Sequence, residues 1–118
     1  MASSASWLFV IASEPYQHEL DSDPAVDAVM AAGAFGQRVS VLFMAKGREY
    51  LDVEIAPSNG ESDLRKLLRS LPLYDVDDVY VLTDMNAETN ASFSIPAEII
   101  TAERASRLIA NADHVVSF

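Results

Sequence analysis

The sequence predicts an α/β fold, a three-layer sandwich in which a mostly parallel five-stranded sheet carries helices on both faces. Three observations lead there. Five short apolar runs recur: WLFVIA at Trp7–Ala12, VSVLFM at Val39–Met44, VYVLT at Val79–Thr83, AEII at Ala97–Ile100 and HVVSF at His114–Phe118. The first three are almost continuously apolar instead of alternating, the pattern of strands covered on both faces. Stretches of helical period separate the runs, and such alternation builds crossovers onto a parallel sheet.

The first connection carries its own start and stop signals. Asp23 suits an N-cap, Pro24 the first helical position, and Val26, Val29, Met30, Gly33 and Ala34 fall at helical spacing, so a helix spans about Pro24 to Phe35. Gly36 can take the left-handed conformation that ends it, and Gly33 on the apolar face lets the helix approach the sheet closely. After the second strand, KGREYL at Lys46–Leu51 forms a short helix, and APSNGES at Ala56–Ser62 is an exposed loop. Ser62 to Leu71 then aligns Leu64, Leu67, Leu68 and Leu71 on one stripe with Arg65, Lys66 and Arg69 outside it, and Pro72 ends the helix. The polar stretch Asp84–Pro96 carries no periodicity that assigns a structure. A last helix, capped by Thr101, turns Ala105, Leu108, Ile109 and Ala112 toward the sheet.

Composition bounds the rest. At 118 residues, with no Pro/Gly/Ser-rich divide, residues 1–118 are expected to form a single domain. Surface scaling gives an unfolded area of roughly 18,700 Å² falling to roughly 6,300 Å², enough for one modest core. Half the residues are hydrophobic, a high share at this length, which points to surface patches that attract partners and hence to an oligomer. The apolar run at Trp7–Ala12 is far too short for a bilayer span or a signal core, so a cytoplasmic protein is expected. The net charge of −10 argues against direct nucleic-acid binding. Six of the eight Lys/Arg residues do fall between Arg38 and Arg69, a cluster suited to a solvated face or an acidic partner subunit.

The chain has no cysteine, which removes thiol nucleophiles, thiolate metal sites and iron–sulfur clusters together. Its glycines, Gly33, Gly36, Gly47 and Gly60, fit neither a dinucleotide fingerprint nor a phosphate loop. Of the two histidines, His114 opens a strand and reads as structural. His18 lies in an acidic loop with Glu14, Glu19, Asp21 and Asp23 that lacks Ca²⁺-loop spacing and reads as solvated. No metal or cofactor is expected. Ligands of open α/β sheets bind beyond the carboxyl ends of the strands, which selects Ser13 and Glu14, Ala45–Arg48 with Lys46 and Gly47, and Thr83–Asn86 with Asp84 as candidate pocket turns. Ser13 has no GxSxG elbow around it and is read as a turn residue rather than a hydrolase nucleophile.

The run VSVLFMAKGREYL from Val39, the block LRKLLRSLPLYDVDDVYVL from Leu64 and the ending ANADHVVSF from Ala110 resemble the TusC/DsrF branch of the DsrE/DsrF-like proteins. Leu73, Tyr74 and Asp75 with Val79–Val81 are the most telling stretch, followed by Ala112, Asp113 and Phe118. The loop SEPYQHELDSDP from Ser13 departs from the branch, whose members often carry a glycine after the first strand. The resemblance implies a non-catalytic subunit of a hetero-oligomer, a hexamer of TusB/DsrH-like, TusC/DsrF-like and TusD/DsrE-like chains. That complex passes sulfur to a TusE/DsrC-like acceptor, in tRNA wobble-uridine 2-thiolation or in sulfur oxidation. In the TusD/DsrE-like partner a reactive cysteine lies in the third strand, where this chain reads VYVLT at Val79–Thr83, so no persulfide can form there. Leu73, Tyr74 and Asp75 are the expected partner interface, with a core tyrosine closing the turn as the alternative for Tyr74. The competing functional reading is a homo-oligomeric small-ligand-binding module that uses the three pocket turns.

Overall fold

A computed structural model describes residues 5–13, 15, 23–52, 64–82, 93 and 95–118. Strand β1 (Ser6–Ile11) leads through helix α1 (Pro24–Ala34) to β2 (Arg38–Phe43), and a 3₁₀ segment (Ala45–Leu51) follows. Helix α2 (Leu64–Arg69) and a 3₁₀ turn (Leu71–Tyr74) lead into β3 (Asp78–Leu82), and β4 (Glu98–Ile100), α3 (Ala102–Asn111) and β5 (His114–Ser117) complete the chain. The five strands form one sheet in the order β4-β3-β2-β1-β5. Every neighbouring pair is parallel, so the sheet is more uniform than the mostly parallel one expected.

Alternate residues of the strands feed two cores. Phe9, Ile11, Val39, Val41, Phe43, Val79 and Val81 pack with Ala25, Val26 and Val29 of α1, with Leu68 of α2 and with Leu71 of the turn after it. Leu8, Val10, Leu42 and Ile100 face the other way and pack on Ala105 of α3. The expected three layers follow, and they explain why β1 and β2 read as unbroken apolar runs. Burying a side chain such as Phe43 or Leu42, both fully enclosed, stabilises by about 1.5 to 3 kcal/mol.

Helix α3 is a thin cover. Ten residues make a helix about 15 Å long, whereas β4 and β5 lie on opposite edges of the sheet, about 19 Å apart at four interstrand steps. Its inward stripe is therefore narrow. Ala105 is buried and Leu108 and Ala112 half-buried, but Ile109, expected to face the sheet, is 43% exposed.

The local signals act as read, with one reassignment. Asp23 caps α1, its carboxylate accepting from the Ala25 and Val26 N–H groups, and Pro24 stands in the first turn. Gly36 adopts φ +79° just beyond the helix. Gly33, however, serves the turn after α2 and not the sheet. A β-carbon there would lie 2.4 Å from the Tyr74 carbonyl oxygen and 3.0 Å from Val76 Cγ2. Helix α2 gives way before Pro72, where the Ser70 hydroxyl donates to the Leu67 carbonyl at 2.6 Å and the chain enters the 3₁₀ turn. The 84–96 stretch lies mostly outside the described residues. Its described part contributes Ile95 to the core and Phe93, which bridges Asp52.

The edge strand β5 is fastened at both ends. The Asp113 carboxylate accepts from the Ser6 backbone N–H at 2.8 Å and from the Ser6 hydroxyl at 3.2 Å. At the far end, Ala12 donates to the Phe118 carbonyl at 2.9 Å and Phe118 donates to the Val10 carbonyl at 2.8 Å. His114, read as structural, stacks on Trp7 with ring centres 4.3 Å apart. The Ser6 amide, and next its hydroxyl, hold the Asp113 carboxyl below its usual range. A depressed carboxyl contributes stability above its unfolded pKa and loses it as pH falls through the folded value. An Asp113→Asn variant is thus expected to melt below the wild type at neutral pH, with the gap closing on acidification. A gap that stays constant through the carboxylate range would refute this role.

Candidate functional site

The sheet's two edges carry the two sets of residues singled out in the sequence. Parallel strands place all carboxyl ends together, and β1 and β2 finish side by side, with Ile11 opposite Phe43. Beyond them lie Ser13, half-exposed, and the 3₁₀ segment that carries Lys46, exposed, and Gly47, buried. Glu14, Thr83 and Asp84 of the same expected pocket, and His18 with its acidic loop apart from Asp23, lie outside the described residues.

Backbone contacts, more than side chains, build this edge. Met44 donates to the Ile11 carbonyl at 3.0 Å and Gly47 donates to the Met44 carbonyl at 2.8 Å. Ala45 sits at φ +51° to make the bend. Gly47 then rests directly on β1, since a β-carbon there would fall 1.9 Å from the Ile11 carbonyl oxygen. The Arg48 guanidinium folds back, its Nε donating to the Ala45 carbonyl at 3.1 Å.

Behind the turn lies a pair that motif reading missed. Tyr50 is buried against Phe43, with ring centres 5.6 Å apart, and its hydroxyl donates to Asp23 Oδ2 at 2.7 Å. Asp23 Oδ1 meanwhile accepts from the Ala25 and Val26 N–H groups at 3.0 and 3.1 Å. One buried carboxylate thereby ties the start of α1 to the segment after β2. The signal was present in outline, because an N-cap aspartate has a second oxygen to satisfy once buried. Which of the chain's tyrosines would supply the donor was not legible.

The chemistry available at this edge is limited. Among the described residues, no group of three or more His, Asp or Glu side chains converges to hold a metal ion. The interstice between α1, α2 and the sheet is lined by Ile11, Val26, Val29, Val41, Phe43, Leu68 and Leu71, all apolar, and belongs to the core. In β3, Val79 and Val81 are buried on the α1 side, while Tyr80 and Leu82 pack toward α3. The Tyr80 ring lies 5.5 Å beneath the Arg104 guanidinium, which also pairs with Glu98. Burial, and then the Asp78 charge, push the Tyr80 hydroxyl above its usual range, while Arg104 opposes them.

Leu73, Tyr74 and Asp75 lie at the opposite, amino-terminal edge, in the turn that enters β3. They share no surface with the pocket turns. Leu73 is 84% exposed. Tyr74 is half-buried and packs against the core, with its carbonyl facing Gly33. Asp75 takes φ +62° and its N–H caps the turn.

A parallel five-stranded α/β sandwich of this topology, with no thiol, defines a class before it defines a protein. A sequence profile of the DsrE/DsrF-like family matches residues 5–118, and the chain belongs to that family. Among curated proteins it is similar to a protein TusC homolog of Vibrio parahaemolyticus serotype O3:K6 (strain RIMD 2210633). The two are 29% identical over 97 residues, covering 79% of this chain and 82% of that one. This agrees with the TusC/DsrF branch indicated by the LPLYD and ADHVVSF segments. Among solved structures it is similar to the ychN protein of E. coli, with a TM-score of 0.78 at 18% identity, covering 97% of this chain and 99% of that one. At that identity the likeness concerns the fold.

Proposed function

We propose that this chain, acting as a single domain, is a non-catalytic docking subunit of a sulfur-relay hetero-oligomer. The observation that carries the reading is the absence of cysteine from a member of the DsrE/DsrF-like family. A persulfide forms on a thiol sulfur, and the third strand offers Val79, Tyr80, Val81 and Leu82 in its place. The chain's contribution is then shape and contact surface. Its partners are TusB/DsrH-like and TusD/DsrE-like chains in a hexamer, with sulfur passing from the cysteine-bearing partner to a TusE/DsrC-like acceptor. The process served is tRNA wobble-uridine 2-thiolation, the similarity to a TusC homolog favouring it over sulfur oxidation. The setting is the cytoplasm. Among the described residues no helix is long and apolar enough to cross a membrane.

Co-expression tests this. A tagged copy produced with its TusB- and TusD-like neighbours should elute with both in size exclusion, and elution alone would end the assembly reading. Incubated alone with labelled sulfane sulfur, the isolated chain should retain no label after denaturation. Covalently retained label would show that it carries sulfur itself.

A further inference from the structure

Two side chains leave the surface much farther than any other large hydrophobic of the described residues. Phe35 is 83% exposed and Leu73 84%, and the next, Ile109, is 43%. They flank one contact. Gly33, two residues before Phe35, abuts the carbonyl and Cβ of Tyr74, which follows Leu73, so the end of α1 and the turn before β3 bring both to one place at the sheet's amino-terminal edge. Exposed Pro72 extends the apolar surface. Neither side chain supports the fold, and single apolar side chains scattered on a surface need no explanation, but two so exposed at one end of the sheet, one of them aromatic, suit an interface.

The charge around the pair selects the occupant. Asp75, Asp77 and Asp78 follow Leu73 directly and are all exposed, and α1 carries no lysine or arginine at all. Arg38, three residues after Phe35, and Arg69, at the end of α2, are the nearest cations along the chain, and the three aspartates outnumber them. A second copy meeting this patch would bring the same acidic run against it, within a chain whose net charge is already −10. Like charges across an interface suppress that pairing, whereas opposite ones steer and orient the encounter.

We propose that the Phe35–Leu73 patch is the surface through which this chain docks a partner subunit that presents an apolar pocket bordered by lysine and arginine. The inference rests on the relay-subunit reading and gives it a location. Docking at the amino-terminal edge leaves Ser13, Lys46 and Gly47, at the other edge, open.

The test uses the full chain co-expressed with its TusB- and TusD-like neighbours, as wild type, as the double variant Phe35→Ser with Leu73→Ser, and as Asp77→Lys with Asp78→Lys. The serine substitutions replace exposed side chains, so the melting curve of the isolated variant should stay in place. The expected result is at least a tenfold loss of retained partner in the serine variant, a weaker complex in the lysine variant, and a wild-type complex that loosens as salt rises. If the wild type assembles and both variants assemble equally well, the patch is not the docking surface, and the relay reading stands without it. If the wild type captures neither neighbour, the relay reading itself fails and this inference with it. A wild-type homodimer that disappears in the serine variant would overturn the basic partner in favour of a second copy.

Discussion

Replacing Gly47 with alanine is expected to destabilise the protein by about 3 kcal/mol or more. The added β-carbon would fall 1.9 Å from the Ile11 carbonyl oxygen and 2.6 Å from the Ile11 carbonyl carbon. Both obstacles are backbone, with no flexible side-chain end to swing aside. That carbonyl also accepts the Met44 N–H bond that joins the ends of β1 and β2, so relieving the clash means parting the two strands with the most extensive pairing in the sheet. Urea unfolding followed by the fluorescence of Trp7, the sole tryptophan, measures the change. A Gly47→Ala protein within about 1 kcal/mol of wild type would mean that the 3₁₀ segment does not seat against β1 as described.

The second large effect belongs to Asp23. Asp23→Ala removes a helix cap, about 1 kcal/mol, and the acceptor of a buried hydrogen bond from Tyr50, about 1.5 to 3 kcal/mol where one partner is charged. The sum is a loss of about 3 kcal/mol. Asp23→Ser separates the two contributions, since serine retains a capping oxygen but has no second oxygen for Tyr50. Tyr50→Phe removes the hydroxyl alone and should cost about 1.5 to 3 kcal/mol, since it leaves one carboxylate oxygen unsatisfied. Because the two groups share one bond, the double variant Asp23→Ala with Tyr50→Phe should be less destabilised than the sum of the singles. Strict additivity in chemical denaturation would show that the carboxylate and the phenol act independently.

Much of the fold was legible, and the reasons are local. The observed strands β1, β2 and β3 begin one residue before the apolar runs that announced them and end one residue earlier, because the run is what a strand covered on both faces requires. Helix α1 starts at Pro24 behind its aspartate cap and stops at Ala34, ahead of Gly36, since caps and breakers act through neighbouring backbone. The misreadings concern contacts across the chain. Gly33 was assigned to the sheet but accommodates Tyr74, forty-one positions away in sequence. Ile109 fitted the helical period, yet a single helix crossing a five-stranded sheet buries only a narrow stripe, and Ile109 falls outside it.

The candidate site divides in the same way. Ser13, Lys46 and Gly47 do gather at the carboxyl edge, because a parallel sheet puts those turns there whatever their side chains. Leu73 and Asp75 are exposed as an interface requires, while Tyr74 is partly committed to the turn. Phe35 gives no signal in the sequence, where it reads as the last residue of a helix, and only the folding of α1 against the turn before β3 brings it to the same end of the sheet as Leu73.

What the sequence determined by itself was the class of fold and the chemistry this chain cannot perform, since a thiol is either encoded or absent and no packing can supply one. What the tertiary structure alone decided was that Gly47 has no room for a side chain, that Asp23 answers to Tyr50, and that the acidic, apolar patch lies at the edge away from the pocket turns. Local pattern is governed by adjacent residues, whereas these three relations arise only where the sheet brings distant segments into contact.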